Sequence, residues 1–468
     1  MHIIIVGAGM VGTQLARHLI NERHDVALIE QNEERARHAS NRLDCLVLND
    51  EGNSLKTLEE AGIAKATALV CVTDSDELNM IICGLAESKY PGVLKIARVR
   101  NEDYLNFGNT GVKTLGIDHF VHPDVETARA VLNAVEHGAL GDVLAFNDSP
   151  YELGAVDVRD QSVFAGMSVR DFRTVVKGET LLTLVERGEE ALLPTGATTL
   201  LVGDRIHVLA HEKDMEKIFS LAGRPLKPLR KIGVVGGGRM GALIVEGLLG
   251  KGQRKKSLFS KIITYIQPRS FRNVVVIEKD YNLCKELSGR FPEALILNED
   301  ISDEGFVEEE GILDMDLIVT ATENQELNMI AALYLKARGV ERAVALVSGA
   351  GYATIARQLG IDVVVPMKSV VVDSILSHLL GGGIRGVHRI GEGSIEILEL
   401  EVSASAHIAG KRLDQFPNSA GALVMQVSRG NDSFIPRGDY VFSPRDRIVL
   451  IVKRGAEIEI ERLFGGPQ

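Results

Sequence analysis

The five-residue string Glu77-Leu78-Asn79-Met80-Ile81 returns letter for letter as Glu326-Leu327-Asn328-Met329-Ile330. A larger pattern repeats around it. Residues 3–12 read Ile-Ile-Ile-Val-Gly-Ala-Gly-Met-Val-Gly, and residues 232–241 read Ile-Gly-Val-Val-Gly-Gly-Gly-Arg-Met-Gly. In each, a short apolar run meets three glycines spaced Gly-x-Gly-x-x-Gly, and a helical apolar pattern follows. Leu15, Leu19 and Ile20 form that stripe in the first copy. The first glycine permits a tight turn, the second lets backbone approach a pyrophosphate, and the third lets helix pack on strand. The helix N-terminus then offers free N–H groups and a partial positive charge to phosphate. A chain that does this twice must fold as two related units.

Each copy alternates strands with helices. In the first, strands are expected at Val26–Glu30, Cys45–Leu48, Ala68–Thr73, Lys95–Val99 and Phe120–Val121, with helices at Glu33–Ser40, Leu55–Ala61 and Leu78–Ser88. That alternation implies a doubly wound parallel sheet. In the second copy, Val274–Glu278, Leu295–Asp300 and Val319–Thr322 match the second, third and fourth strands. Residues 141–211 lose the helical alternation and read as short strands at Glu152–Val158, Leu181–Val185 and Arg205–Leu209. Their sequence Pro194…Gly203-Asp204-Arg205-Ile206 is echoed by Pro436…Arg445-Asp446-Arg447-Ile448. The fold class is therefore α/β, two Rossmann-like parallel sheets, each followed by a small β-rich α+β domain. The expected domains are 1–139, 140–224, 229–383 and 384–468, with a linker at Gly223–Pro228.

The offset between copies is 236 − 7 = 229 at the glycines and 326 − 77 = 249 at the repeated string, which exposes an insertion at Gly250–Arg272. It carries seven Lys or Arg and no acid, in a chain whose net charge is −12. The run suits a phosphate-bearing ligand, an anionic lipid surface or an acidic partner, or simply a solvated loop. The acidic balance argues against nucleic acid. No run of 18 apolar residues occurs, and the start enters a strand without a signal peptide's basic and cleavage regions. Cys45, Cys71, Cys83 and Cys284 form no Cys-x-x-Cys and read as reduced core residues of a cytosolic protein.

Glu30 ends the second strand 18 residues beyond Gly12, where a carboxylate can accept both ribose hydroxyls of an adenosine. A 2′-phosphate there would face a negative charge, so NAD(H) is favoured over NADP(H). No P-loop, nucleophile elbow or zinc-type His/Cys spacing exists. His122, before Pro123 and Asp124, reads as a helix start and not as a catalytic base.

The order of glycine motif, strand-end Glu, acidic loop, Val-Thr-Asp-Ser-Asp-Glu-x-Asn and Ala-Arg-Val-Arg resembles the RCK (KTN) family that regulates potassium conduction. Two such units, each with a β-rich C-terminal domain, resemble its peripheral potassium-uptake branch, the TrkA type, over essentially the full chain. The resemblance implies a regulator and not an enzyme. It implies a peripheral protein on the inner face of the cell membrane, a ring of eight domains from a tetramer, and a TrkH/TrkG-like membrane potassium transporter subunit as partner. It places the first nucleotide site on Gly7, Ala8, Gly9, Met10, Val11, Gly12, Glu30, Asp50, Glu51, Thr73, Asp74 and Arg98. Glu30 would hold the ribose, Asp50 and Glu51 would lie by the adenine, and Arg98 would face phosphate or the distal ribose.

The second cleft maps onto Gly236, Gly238, Arg239, Met240, Gly241, Glu278, Lys279 and Asp300. Arg239 replaces Met10 and Lys279 follows Glu278, which suits ATP or ADP. Against this, Ala345-Leu346-Val347-Ser348 lacks either arginine of the first copy, so a degenerate, structural unit stays open. A soluble NAD-dependent oxidoreductase and a scaffold without nucleotide are the alternative functions.

Overall fold

The structure, a computed structural model, describes residues 1–101, 103–104, 114–136, 138–139, 143–146, 149–188, 190–223, 229–250, 273–303, 305, 307, 311–379, 384–390, 395–416, 421–430, 432–453, 460 and 463–464. The interior of the basic insertion (251–272) and most of the expected linker (224–228) lie outside them.

The first domain runs β1 (His2–Val6), α1 (Met10–Asn21), β2 (Asp25–Ile29), α2 (Glu33–Ser40), β3 (Leu46–Leu48), α3 (Leu55–Glu60), β4 (Ala68–Cys71), α4 (Asp76–Lys89), β5 (Leu94–Arg98), β6 (His119–Val121) and α5 (Pro123–Glu136). Its strands are all parallel, in the order β3-β2-β1-β4-β5-β6. That order reverses direction after β1, and open α/β sheets bind ligands at such a switch point.

A small antiparallel sheet follows, built from β7 (Val143–Ala145), β8 (Tyr151–Asp157), α6 (Val169–Val176), β9 (Thr180–Arg187), β10 (Glu190–Leu192), β11 (Arg205–His211) and α7 (Glu212–Leu221). The helix α6 departs from the all-strand reading of residues 141–211. It is a two-turn helix, too short to show periodicity. Ser168 caps it by accepting from Asp171 N, and Val169, Phe172 and Val176 bury one stripe.

The plan then repeats. The second parallel sheet comprises β12 (Lys231–Val235), α8 (Arg239–Leu248), β13 (Asn273–Glu278), α9 (Tyr281–Arg290), β14 (Leu295–Asn298), β15 (Leu317–Thr320), α10 (Gln325–Ala337), β16 (Arg342–Val347), α11 (Ala350–Gln358), β17 (Val363–Pro366) and α12 (Met367–Leu379). Its order, β14-β13-β12-β15-β16-β17, is that of the first sheet. The last sheet holds β18 (Ile384–Ile390), β19 (Ile395–Glu401), β20 (Ala422–Arg429), β21 (Asp432–Phe434) and β22 (Arg447–Lys453) in the order β18-β19-β22-β20-β21.

The chain forms two compact units: Met1–Gly141 with Leu229–Leu379, and Asp142–Pro228 with Leu380–Gln468. Within the first, the two parallel-sheet domains exchange their final helices. Val125, Ala128, Val131, Leu132 and Val135 of α5 belong to the core of the second domain, beside Ala242, Val245 and Leu248 of α8. Val371, Val372, Ile375, Leu376 and Leu379 of α12 belong to the core of the first, beside Leu15 and Leu19 of α1. Five such side chains bury roughly 10 kcal/mol of gross transfer free energy per helix. The α5–α8 crossing is close because Gly247 has no side chain: a Cβ there would lie 2.2 Å from Leu132. Where α12 meets β6, His378 stacks on His119, with ring centroids 4.1 Å apart. Burial, His119 and Arg129 pull the His378 imidazole down from 6.5 to about 4.

In the second unit the two antiparallel sheets share a core that includes Leu153, Leu184 and Leu209 from one and Ile397, Met425 and Ile451 from the other. The echoed aspartates have a structural use. Asp204 and Asp446 are each buried and each pairs with an arginine of the neighbouring strand, Arg187 at 2.7 Å and Arg429 at 2.8 Å. Burial pushes both carboxyls up, but the arginines, a backbone N–H and, at Asp446, the Tyr440 hydroxyl outweigh it and hold them below the usual range.

Candidate functional site

Both glycine turns take the same strained path. Gly7 and Gly236 sit at φ +107° and +99°, a region open to glycine. A Cβ on Gly12 would lie 1.9 Å from Gly7 O, and one on Gly241 would lie 1.9 Å from Gly236 O. The third glycine therefore seats the helix against the turn. A Cβ on Gly9 or Gly238 would meet nothing within 4 Å, leaving backbone open to a ligand.

Glu30 is buried at the end of β2. Its Oε2 accepts from Ala8 N at 2.7 Å and its Oε1 from Asn32 N at 2.9 Å. The carboxylate thus holds the glycine turn, and with about four acceptor positions it retains capacity for a ribose hydroxyl. Glu278 repeats this with Gly237 N at 2.7 Å and Asp280 N at 2.8 Å. Asn49 donates to Glu30 O and Gln31 O, as Asn298 does to Glu278 O and Lys279 O.

The repeated string now has a physical meaning. Asn79 is buried one turn into α4. Its Oδ1 accepts from Thr73 N and Thr73 Oγ1, while its Nδ2 donates to Thr73 O and Arg98 O. One side chain so ties the end of β4 to the end of β5 and sets where Thr73, Asp74 and Arg98 stand. Asn328 makes the equivalent bonds to Thr322 and Leu346 O. Sequence reasoning saw the repeat and missed this role.

In the first domain these parts enclose a cavity of about 520 Å³. Gly7, Gly9, Met10, Val11, Glu30, Asp50, Thr73, Asp74 and Arg98 line it. Ala8, Gly12 and Glu51 act behind the lining: Ala8 donates to Glu30, Gly12 packs the turn, and Glu51 N donates to Asp50 at 2.8 Å. Asp50 also accepts from Thr57 Oγ1 at 2.7 Å, and these bonds lower its pKa. Arg98 is mostly buried and faces Asp74 at 3.7 Å, and its Nε has no partner among the described residues. Burial and neighbouring Arg100 pull its pKa down. A largely buried guanidinium in the wall of a cavity fits an anionic ligand.

Residues the sequence reading did not place here also line the cavity. Arg35 comes from α2, Asp124 and Thr127 from α5, and Met240, Met367, Lys368 and Val371 from the second domain. Met240, expected in the second cleft, therefore serves the first. Arg239 turns the same way: its Nε lies 3.1 Å from Asp124, and its Nη2 donates to Arg100 O and approaches His122 Nε2 at 3.3 Å. The cation expected beside the second phosphate turn is thus engaged with the first domain. His122 precedes α5 and its Nδ1 accepts from Val125 N at 3.3 Å, a helix-start role. Lys279 stays beside Asp300, whose carboxyl is lowered by Ser302 and by that lysine.

Family profiles match the chain twice over. The TrkA-N domain profile matches residues 3–123 and 260–366, and the TrkA-C domain profile matches 153–223 and 397–465. The chain belongs to the TrkA-type family of RCK proteins. It is 27% identical to the Trk system potassium uptake protein TrkA of Halomonas elongata over 99% of this chain and 98% of that one. TrkA homolog 1 of Methanosarcina mazei is also 27% identical, over 99% and 100%. Among solved structures, the GsuK channel bound to NAD shares the fold at a TM-score of 0.55 and 16% identity, over 99% of this chain and 78% of that one. The GsuK RCK domain does so at 0.54 and 16%, over 99% and 94%. Among the described residues no helix is long and apolar enough to cross a membrane.

Proposed function

We propose that this TrkA-type chain is the nucleotide-sensing regulatory subunit of a Trk-type potassium uptake system, gating a membrane potassium-conducting partner. In this reading its domains are 1–139, 140–224, 229–383 and 384–468, and it is a sensor and not an enzyme. The observation that carries this reading is the first cleft: a cavity in which the glycine turn, Glu30 and an under-partnered Arg98 face residues from the second Rossmann domain. NAD(H) is its ligand. Gly9 backbone and the α1 N-terminus take the pyrophosphate, Glu30 takes the adenosine ribose, Asp50 lies by the adenine, and Arg98 takes a phosphate or the distal ribose. ATP or ADP is the candidate ligand of the second cleft, around Gly236, Gly238, Gly241, Glu278, Lys279 and Asp300.

Because ligand in the first cleft touches both domains, it binds one interdomain geometry better than another and shifts the population toward it. Names of the relatives support potassium uptake as the system served. Ring assembly from several copies is supported by Ile81 and Ile330, at equivalent places in the repeated string, which are 52% and 64% exposed. Calorimetry of the full chain with NADH, NAD, ATP and ADP tests the reading. Binding of NADH that is lost in Glu30→Ala supports it, and a chain that takes no nucleotide overturns it. Copurification with a potassium-transport subunit from membranes in mild detergent tests the partner.

A further inference from the structure

The two clefts exchange charges across the pseudo-symmetric domain pair, and the exchange is unequal. Each glycine turn is faced by the second residue of the helix received from the other domain. Arg239 in the second turn faces Asp124 of α5 at 3.1 Å, a closed ion pair. Met10 in the first turn faces Lys368 of α12, whose Nζ lies 2.8 Å from the Met10 sulfur. A thioether is a weak acceptor and carries no charge, so this contact leaves an ammonium unneutralised.

Four carboxylates line the same cavity, and each is engaged elsewhere. Glu30 holds two backbone N–H groups, Asp50 holds Thr57 and Glu51 N, Asp74 faces Arg35 and Arg98, and Asp124 holds Arg239. Lys368 has no carboxylate partner among the described residues, and its partial burial lowers its pKa with no acid to offset it. A cation held in a cavity wall without a counter-ion is waiting for an anion from solution.

We propose that Lys368, supplied by the second Rossmann domain, is a phosphate-binding cation of the first cleft, so that a nucleotide's phosphates there are held from both domains at once. The inference rests on the reading that the first cleft binds nucleotide, and it moves the interdomain cation from the second cleft to the first. Arg239, neutralised by Asp124, leaves the second turn without one.

Calorimetry of the full chain with NADH, ADP and adenosine, on wild type, K368M and K368R, tests it. The component to follow is the one lost in Glu30→Ala. K368M is expected to weaken NADH and ADP by about tenfold, while adenosine changes less than about twofold and K368R stays within about threefold of wild type. Thermal midpoints without nucleotide show whether each variant is folded, and K368Q, expected to lose the same tenfold for NADH and ADP, carries the test if K368M is not. Unchanged phosphate-ligand affinity in K368M, or equal weakening of ADP and adenosine, overturns the role of Lys368 while leaving the cleft. A wild type that binds none of the three overturns the cleft reading and this one with it.

Discussion

The two Rossmann clefts share a sheet order, a glycine turn, a strand-end Glu and an Asn clamp, yet their charges differ: Met10 and Lys368 meet at the first turn, Arg239 and Asp124 at the second, and Arg98 has no counterpart in the second copy. What is common to both copies holds the turns and the strand ends, and what differs is the charge set around them.

The clamps should respond alike. Asn79→Ala and Asn328→Ala each strand several buried backbone groups, and each should cost about 3 kcal/mol in denaturant unfolding. A near-silent member of the pair would mean that the repeat is kept for something other than the strand ends. The helix exchange should respond unequally. Gly247→Val drives a side chain into Leu132 and should cost about 2 kcal/mol, whereas His18, at the same place in α1 (247 − 229 = 18), already carries a side chain.

Only one of the exchanged helices, α12, carries a histidine. Ala134 of α5 corresponds to His378 of α12, since 367 − 123 = 244 and 378 − 244 = 134. The folded His378 has its pKa depressed from 6.5 to about 4, so its neutral form's contribution is complete above about pH 6.5 and declines as pH falls toward 4. The thermal midpoint should fall over that window, and His378→Asn should flatten the slope. In binding, Glu30→Ala should remove the first-cleft NADH component, a loss of at least about tenfold, with Glu278→Ala leaving that component unchanged. Smallest of all, Arg239→Met should cost less than about 1 kcal/mol, because its pair with Asp124 is half exposed.

Much of this was readable beforehand for local reasons. The glycine turns, Glu30 and the alternation of strands with helices follow from residues within some 30 positions of each other, where spacing fixes geometry. Asn79 was visible as a repeated letter but not as a clamp, because its partners Thr73 O and Arg98 O are backbone groups that any sequence would supply. The short α6 offered a cap and three apolar residues, too little to override the surrounding strand pattern. An apolar stripe such as Val125, Val131 and Leu132 looks the same whether it covers its own sheet or a neighbour's, so the exchange of α5 and α12 left no mark. Lys368 in the first cleft follows from that exchange, with Met10 358 residues away.

The exchange also bears on how such a chain can change over time. Two separate copies of one domain, swapping helices about a true twofold axis, would write every substitution into both clefts. Joining the copies in one chain replaces a concentration-dependent encounter by a tethered one and releases each half from being its partner's mirror. Met10 can then stand opposite Lys368 while Arg239 stands opposite Asp124. Fusion is what permits one pair of domains to hold two different questions.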